Sequence, residues 1–248
     1  MKLTTLYTFM LVQLWRNPMI RIFAVVGVCG LVWLSVVREM PSLKLVEDLC
    51  FIFIPVYFIV ATGGNIIETT DRPTIELLLA KPFSRRDIVV ADYLSVTSIF
   101  GLGSLAISMG LWLVFGWRGG EGGLSLVALF LSLQLSFMSL YCFIQLSGLL
   151  LRNAALVVVA WVGYIYFGVA LIEACARWVS SSGGMLWQII FYPVYYVPPR
   201  VLGIYRSIQG GFGRGDWEIM PIMSSALSGA LALAAAIFFL DRRDIGSG

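Results

Sequence analysis

Histidine is absent from the 248 residues. Its absence removes the commonest metal ligand, the usual general base and every Ser-His-Asp or Cys-His mechanism. Charge is scarce as well: 12% of residues are Asp, Glu, Lys or Arg, against about 25% in a soluble domain. The net charge of +3 is too small, and the basic residues too scattered, to point to a nucleic-acid partner. No G-x-x-x-x-G-K-[ST] run occurs, so the chain has no P-loop with which to hold a nucleotide. The four cysteines show no C-x-x-C spacing, which argues against a zinc or redox site. Cys29, Cys50 and Cys142 fall in apolar stretches and read as small buried residues, while Cys175 lies just past one.

What fills the chain instead is apolar: 59% of residues are hydrophobic. That balance marks an integral membrane protein, and the expected fold is an all-α polytopic one with six transmembrane helices. Leu3, Leu6, Tyr7, Met10, Leu11 and Leu14 recur at helical spacing, so residues 1–17 are expected to lie as a helix in the interface, ended by Asn17-Pro18. This amphipathic pattern does not fit a cleavable signal peptide. The expected spans are residues 19–37, 46–67, 88–117, 124–151, 154–172 and 220–240. Pro55 suits a kink in the second, and Gly63-Gly64 loosens its end. The third is about 30 residues long, beyond the roughly 20 needed to cross. Its first two turns, Asp92 included, are therefore expected in the cytoplasmic interface, with Asp87 and Asp92 read as helix-start charges. Gly101, Gly103, Ser104 and Gly110, and later Ser225 and Gly229, allow close helix approach. Gln134 and Gln145 lie inside the fourth span, where an amide either bonds a neighbouring helix or meets cargo.

Residues 173–218 form the longest connection. They are rich in Trp, Tyr and Phe, Tyr192, Tyr195 and Tyr196 among them, and are broken by Pro193, Pro198 and Pro199. This reads as a re-entrant or interfacial outer segment with its rings at headgroup level. Glu173 and Arg177 have the spacing of a helical ion pair. Residues 246–248 read as an added linker. Six spans place both termini on one side, and ten basic residues against seven favour that side as cytoplasmic.

The long charged interruption, ETTDRPTIELLLAKPFSRRDIVVAD, spans residues 68–92. Asp71 and Pro73 suit the start of a short helix over residues 73–80, which Pro82 then ends. Ser84 and Asp87 have capping-box spacing for the next helix, and Phe83 and Ile88 the staple positions. Ile75, Leu77, Leu78 and Leu79 give the short helix an apolar ridge. Arg72, Glu76, Lys81, Arg85 and Arg86 rim it with charge. The ridge suits docking into a groove on another protein, or else lies on the membrane surface or under its own bundle.

R-P-T-I-E-L-L-L-A-K-P-F-S-R-R-D-I resembles the signature that follows the second span of ABC-2 type permeases, and looks most similar to the NosY-like branch linked to nitrous oxide reductase maturation. Arg72, Thr74, Ile75, Glu76, Leu78, Leu79, Pro82, Ser84, Arg85 and Ile88 carry the match. Pro73 stands where the family usually has Gly, and Ala91-Asp92 replaces a common Gly-Lys. The resemblance implies that residues 1–245 are one transmembrane domain whose loop, residues 68–87, bears a coupling helix between spans two and three. Arg72, Pro73, Thr74, Ile75, Glu76, Leu77, Leu78, Leu79, Lys81, Pro82, Ser84 and Arg85 would then meet a cytoplasmic ABC ATPase.

Further expectations follow from that likeness. ATP and Mg would sit on two ATPase copies, with no cofactor, metal or catalytic residue on this chain. A second permease chain would pair with it as a homodimer, and an outer or periplasmic accessory protein could join them. The setting would be a bacterial inner membrane, with the termini cytoplasmic. Asn65, Gln134, Gln145, Tyr192, Tyr195 and Tyr196 are the candidate pathway residues. Because the span centres read as uncharged, an amphipathic or lipid-like cargo fits better than a strongly charged one; a factor for metalloenzyme maturation is the other implied cargo. Two different readings share many of these features. One is a permease-like subunit that transmits force to an outer partner without moving cargo. The other is a polytopic enzyme of phospholipid metabolism, which would need clustered acids or histidines.

Overall fold

A computed structural model describes residues 2–37, 41–70, 83–117, 123–168, 171–172, 174–175, 177–178, 199–215 and 217–242. Every regular element among them is helical. They are α1 (Lys2–Arg16), α2 (Pro18–Val36), α3 (Leu43–Thr62), α4 (Asn65–Thr70), α5 (Arg85–Trp117), α6 (Gly123–Leu151), α7 (Ala154–Gly163, continued by a π-helical turn, Tyr164–Gly168), α8 (Val201–Arg214) and α9 (Ile219–Arg242).

Five of these, α2, α3, α5, α6 and α9, are long and apolar enough to cross a membrane. Over the crossing expected at residues 154–172 every described residue is helical: α7, its π-helical turn and residues 171–172. The second span differs from expectation. It breaks at Gly63-Gly64, so α4 is a separate helix and not the end of α3. A Cβ at Gly63 would meet the Ile59 carbonyl at 2.6 Å and Val158 Cγ2 at 2.8 Å, so only glycine lets the break pass this close to α7.

The corners are capped as the sequence leads one to expect. Asn17 accepts from the Met19 amide at 2.9 Å and donates to the Ala61 carbonyl at 3.1 Å, which ties the α1–α2 corner to the end of α3. Arg21 donates to the carbonyls of Trp15 and Arg16, closing the end of α1. Ser84 and Asp87 form the reciprocal capping box: the Ser84 amide donates to Asp87 Oδ2 at 2.9 Å, and the Asp87 amide to Ser84 Oγ at 3.2 Å. Arg152 takes a left-handed φ of 52°, and Asn153 then caps α7 by accepting from the Leu156 amide.

Helix α6 is the axis. It touches α3, α4, α5, α7, α8 and α9. Buried residues make up 61% of its apolar stretch, against 11% for α2, which therefore sits at the periphery. An aromatic column joins α3, α5 and α6. Phe100 and Phe137 stack at 3.9 Å, Phe58 meets both edge-on, and Tyr141 continues the column beyond Phe137 at 5.7 Å. Small residues close the other contacts. A Cβ at Gly229 would lie 3.2 Å from Ser139 Cα on α6, and one at Gly110 would lie 2.3 Å from Leu31 Cδ1 on α2. The cysteines depart from expectation: Cys142 is buried, but Cys29 is exposed on α2 and Cys50 is half-buried.

The two ends of the bundle can be told apart by contact. Leu6 and Met10 of α1, Ile88 and Ala91 of α5, Leu149 of α6 and Leu240 of α9 pack together at one end. The starts of α3 and α6 meet α8 at the other. Gly229→Val sets a larger side chain against α6 backbone, and should cost about 1–3 kcal/mol of stability. Thermal unfolding of the purified chain in detergent would measure it, and a melting temperature equal to wild type would contradict this packing.

Candidate functional site

The sequence places Asp92 at a solvated helix start; the structure corrects this. Asp92 is fully buried. It lies seven residues along α5, about 10 Å from the start of that helix. From Ile88 to Ala91 the inner face of α5 is covered by α1 and by the ends of α6 and α9. Nor is the aspartate alone. Tyr141 Oη donates to Asp92 Oδ2 at 2.8 Å, and Gln145 Nε2 donates to the same oxygen at 2.7 Å and to the Val89 carbonyl at 3.1 Å. Asn65 Nδ2 donates to the other oxygen, Oδ1. All three side-chain partners are neutral.

The chemistry of this node follows from its solvent. An ionised carboxyl shut away from water costs several kcal/mol unless donors replace its hydration. Each hydrogen bond to a charged group returns about 1.5–3 kcal/mol. The donors come from two helices, α4 and α6, so satisfying Asp92 requires both to be in place beside α5. Of the expected pathway residues, Asn65 and Gln145 are brought together here, with Tyr141 as a partner that the sequence reading missed.

Gln134 is apart from them. Its Nε2 donates to the Thr97 carbonyl at 3.3 Å, while its Oε1 is buried without a partner among the described residues. That oxygen sits where a Cβ on residue 101 would come within 3.0 Å, which glycine avoids. Both expected amides thus bond between helices. Tyr192, Tyr195 and Tyr196 lie outside the described residues. So do residues 71–82, and with them Arg72, Pro73, Thr74, Ile75, Glu76, Leu77, Leu78, Leu79, Lys81 and Pro82 of the expected coupling set. Ser84 and Arg85 are described. Ser84 caps α5, and Arg85 Nη1 donates to the Leu240 and Asp241 carbonyls at the end of α9.

A second polar cluster, at the opposite end of the bundle, escaped the sequence reading. Ser125 of α6 donates to Glu47 of α3, and Tyr205 of α8 donates to Asp48 Oδ1 at 2.8 Å. Glu47 is only 4% exposed. The Tyr205 ring stacks on Phe51 at 4.3 Å. Burial and the neighbouring Asp48 carboxylate push the Tyr205 phenol above its ordinary range, so it remains a donor at neutral pH. Two adjacent acids one turn into an apolar helix were the available signal. Further contacts fasten this outer piece: Tyr164 donates to the Pro199 carbonyl at 2.9 Å, and the Arg200 amide donates to Ser225 Oγ at 2.9 Å. Ser136, midway along α6, reaches the Val201 carbonyl, while Ile208 packs on Ala128 near the start of α6. Helix α8 therefore begins beside the middle of α6 and runs out toward its start.

Two grooves open on the sides of the bundle. One of about 450 Å³ lies between α2, α3 and α5. Its lining includes Phe23, Gly27, Gly30, Cys50 and Ile107. The other, of about 290 Å³, is bounded by Tyr93, Ser139, Cys142, Ile204, Ser225 and Gly229.

Gln145→Leu removes two interhelical bonds and leaves Asp92 short of a donor, a loss of about 1–3 kcal/mol; thermal unfolding against wild type reads it, and an unchanged midpoint would refute the node. Tyr205→Phe keeps the ring stack but loses the bond to Asp48, at about 1.5–3 kcal/mol. Faster hydrogen exchange over residues 201–214, with the rest of the chain unchanged, is the expected signature.

Comparison with known proteins adds one finding. A family model described as ABC-2 family transporter protein matches residues 19–172, from α2 to just past the π-helical turn. A comparison with curated proteins returned no match. Members of such families are in general non-enzymatic membrane subunits that work with an ABC ATPase. With five apolar helices of crossing length among the described residues and a match over more than half of its residues, the chain belongs to the ABC-2 family of transporter proteins.

Proposed function

We propose that this chain is the permease half of an ATP-driven exporter, that two copies enclose one pathway, and that residues 73–80 are the helix by which a cytoplasmic ATPase moves it. The observation that carries the reading is the way residues 71–82 are hung. They leave from α4, which is bonded to the α5–α6 core, and return through a fully capped α5 that is also bonded to the end of α9. Both helices that flank this leucine-rich stretch are bonded to the bundle, so a push on either one reaches the core. ATP and Mg belong to the two ATPase copies. Closure of these around ATP must favour one permease arrangement through contact energy for the cycle to turn.

Six crossings complete the proposal. Helix α7 begins the fifth, a reading supported by the bond from Tyr164, at its end, to the Pro199 carbonyl just before α8. The stretch through α8 is then an outer re-entrant segment, and the termini are cytoplasmic in a bacterial inner membrane. The groove between α2 and α3, walled by apolar side chains, supports an amphipathic or lipid-like cargo. The NosY-like motif supports cargo for metalloenzyme maturation as the narrower alternative.

Leu78→Asp should abolish either co-purification of the ATPase or its stimulation by the permease, since a desolvated carboxylate replaces the ridge centre. Hydrolysis stimulated as in wild type would remove residues 73–80 from the mechanism. Stimulated hydrolysis without cargo flux in proteoliposomes would instead favour a subunit that transmits force alone.

A further inference from the structure

Helix α2 meets its two long neighbours differently. Against α5 it is in direct contact along its length: Phe23 lies over Gly103, Ile107 over Gly27 and Leu31 over Gly110. Against α3 it is fastened at one end. There the Tyr57 hydroxyl donates to the Met19 carbonyl, Asn17 donates to the Ala61 carbonyl, and the Phe23 and Tyr57 rings lie 5.1 Å apart. From that end the groove of about 450 Å³ parts the two helices as far as Leu34 on α2 and Val46 on α3.

Three properties of the groove narrow its occupant. It repels water: only Tyr57 and Cys50 of its lining carry a side-chain polar atom, and the Tyr57 proton is already given to Met19. A water needs about two to four polar partners, and the groove does not supply them. It is long. From Phe23 to Leu34, at 1.5 Å per residue, it runs about 17 Å, a little over half of a hydrocarbon core of about 30 Å. That is the depth one acyl chain covers within its own leaflet. It is also thin. A helix about 10 Å across and equally long fills roughly 1,300 Å³, about three times the space present. A second copy could lay only separate side chains in it, with gaps between them. Each gap forfeits dispersion contacts that an unbroken methylene chain makes with all three helices.

Gly30 points the same way. Glycine inside a helix is less favourable than alanine, and here no protein neighbour demands it: nothing stands within 4 Å of a Cβ built at Gly30. The space beside it belongs to the groove.

We propose that the groove holds one acyl chain of a bilayer phospholipid, lying along α2 from Phe23 to Leu34 and completing the wall between α2 and α3. The inference goes beyond the cargo reading. It rests on the membrane setting of these helices and names what the groove holds when no cargo moves.

The test uses the full chain, reconstituted in phosphatidylcholine vesicles, extracted in mild detergent and weighed by native mass spectrometry. Wild type should retain one phosphatidylcholine per chain. Gly30→Leu sets a side chain into the groove without meeting protein, and retained lipid should fall about tenfold. Gly116→Leu makes the same change at a glycine that also has open space, at the end of α5 and outside the groove, and should retain lipid as wild type does. A second measurement locates the chain. Phosphatidylcholine with a diazirine on its acyl chain, photolysed in the vesicles, should mark the groove faces of α2 and α3, and mark them less in Gly30→Leu. Its adducts near Leu227 and Leu231, on the exposed face of α9, should not change. A wild-type chain that keeps no lipid overturns the proposal, as does equal retention in Gly30→Leu. Adducts spread evenly over α2, α3 and α9 overturn it too, because lipid would then only bathe the groove. So does a Gly30→Leu chain that keeps its lipid but loses a partner copy, which would make the groove a protein interface. Neither measurement reads flux or ATP hydrolysis, so failure here is distinct from failure of the transport reading.

Discussion

In a bilayer, helices gain little by hiding apolar surface from each other, because lipid is as apolar as leucine. Contact between them has to come from close packing and from polar groups that cannot be satisfied elsewhere. The carboxyl of Asp92 is the most deeply buried acid among the described residues. It sits on α5, and its hydrogen-bond donors lie on α4 and α6. Those three helices must assemble together or leave a buried polar group without its partners. Around that requirement the rest is arranged by fit: the Phe100–Phe137 stack, Gly229 against Ser139, and Gly110 against Leu31.

The same logic works at the other end with different groups. Glu47 and Asp48 on α3 are met by Ser125 of α6 and Tyr205 of α8. Polar contacts thus fasten the bundle at both ends of α6, with the aromatic column between them. At the side of the bundle α2 is mostly exposed, and an apolar groove opens between it, α3 and α5.

Some of this was legible in the residues. The capping box at Ser84 and Asp87 and the small faces at Gly110 and Gly229 depend on local chemistry, and each is found where it was read; the loosening expected at Gly63-Gly64 is instead a full break between two helices. Gln134 and Gln145 read as amides that either bond a neighbouring helix or meet cargo, and both bond a neighbouring helix. Asp92 was misread. A charge near the start of a long helix looks like a cap or a solvated turn, and its burial depends on α1 and α9, which approach from far away in sequence. Glu47 and Asp48 passed unnoticed because they stand at the edge of an apolar run, where water and protein are equally plausible neighbours. Tyr141 gave no signal, since a phenol in a span is as often packing as partner.

The chain's composition alone determined that it is a helical membrane protein with neither a P-loop motif nor a histidine, because those conclusions need only residue counts and local motifs. The motif in residues 72–88 brought the family into view for the same reason, being contiguous. Only the folded arrangement decided that Asp92 is an interior hub, that α8 starts halfway along α6, and that α4 stands apart from α3. Each of these depends on which helices become neighbours. That choice is set by the joint packing and hydrogen bonding of residues up to 157 positions apart, which no local pattern encodes.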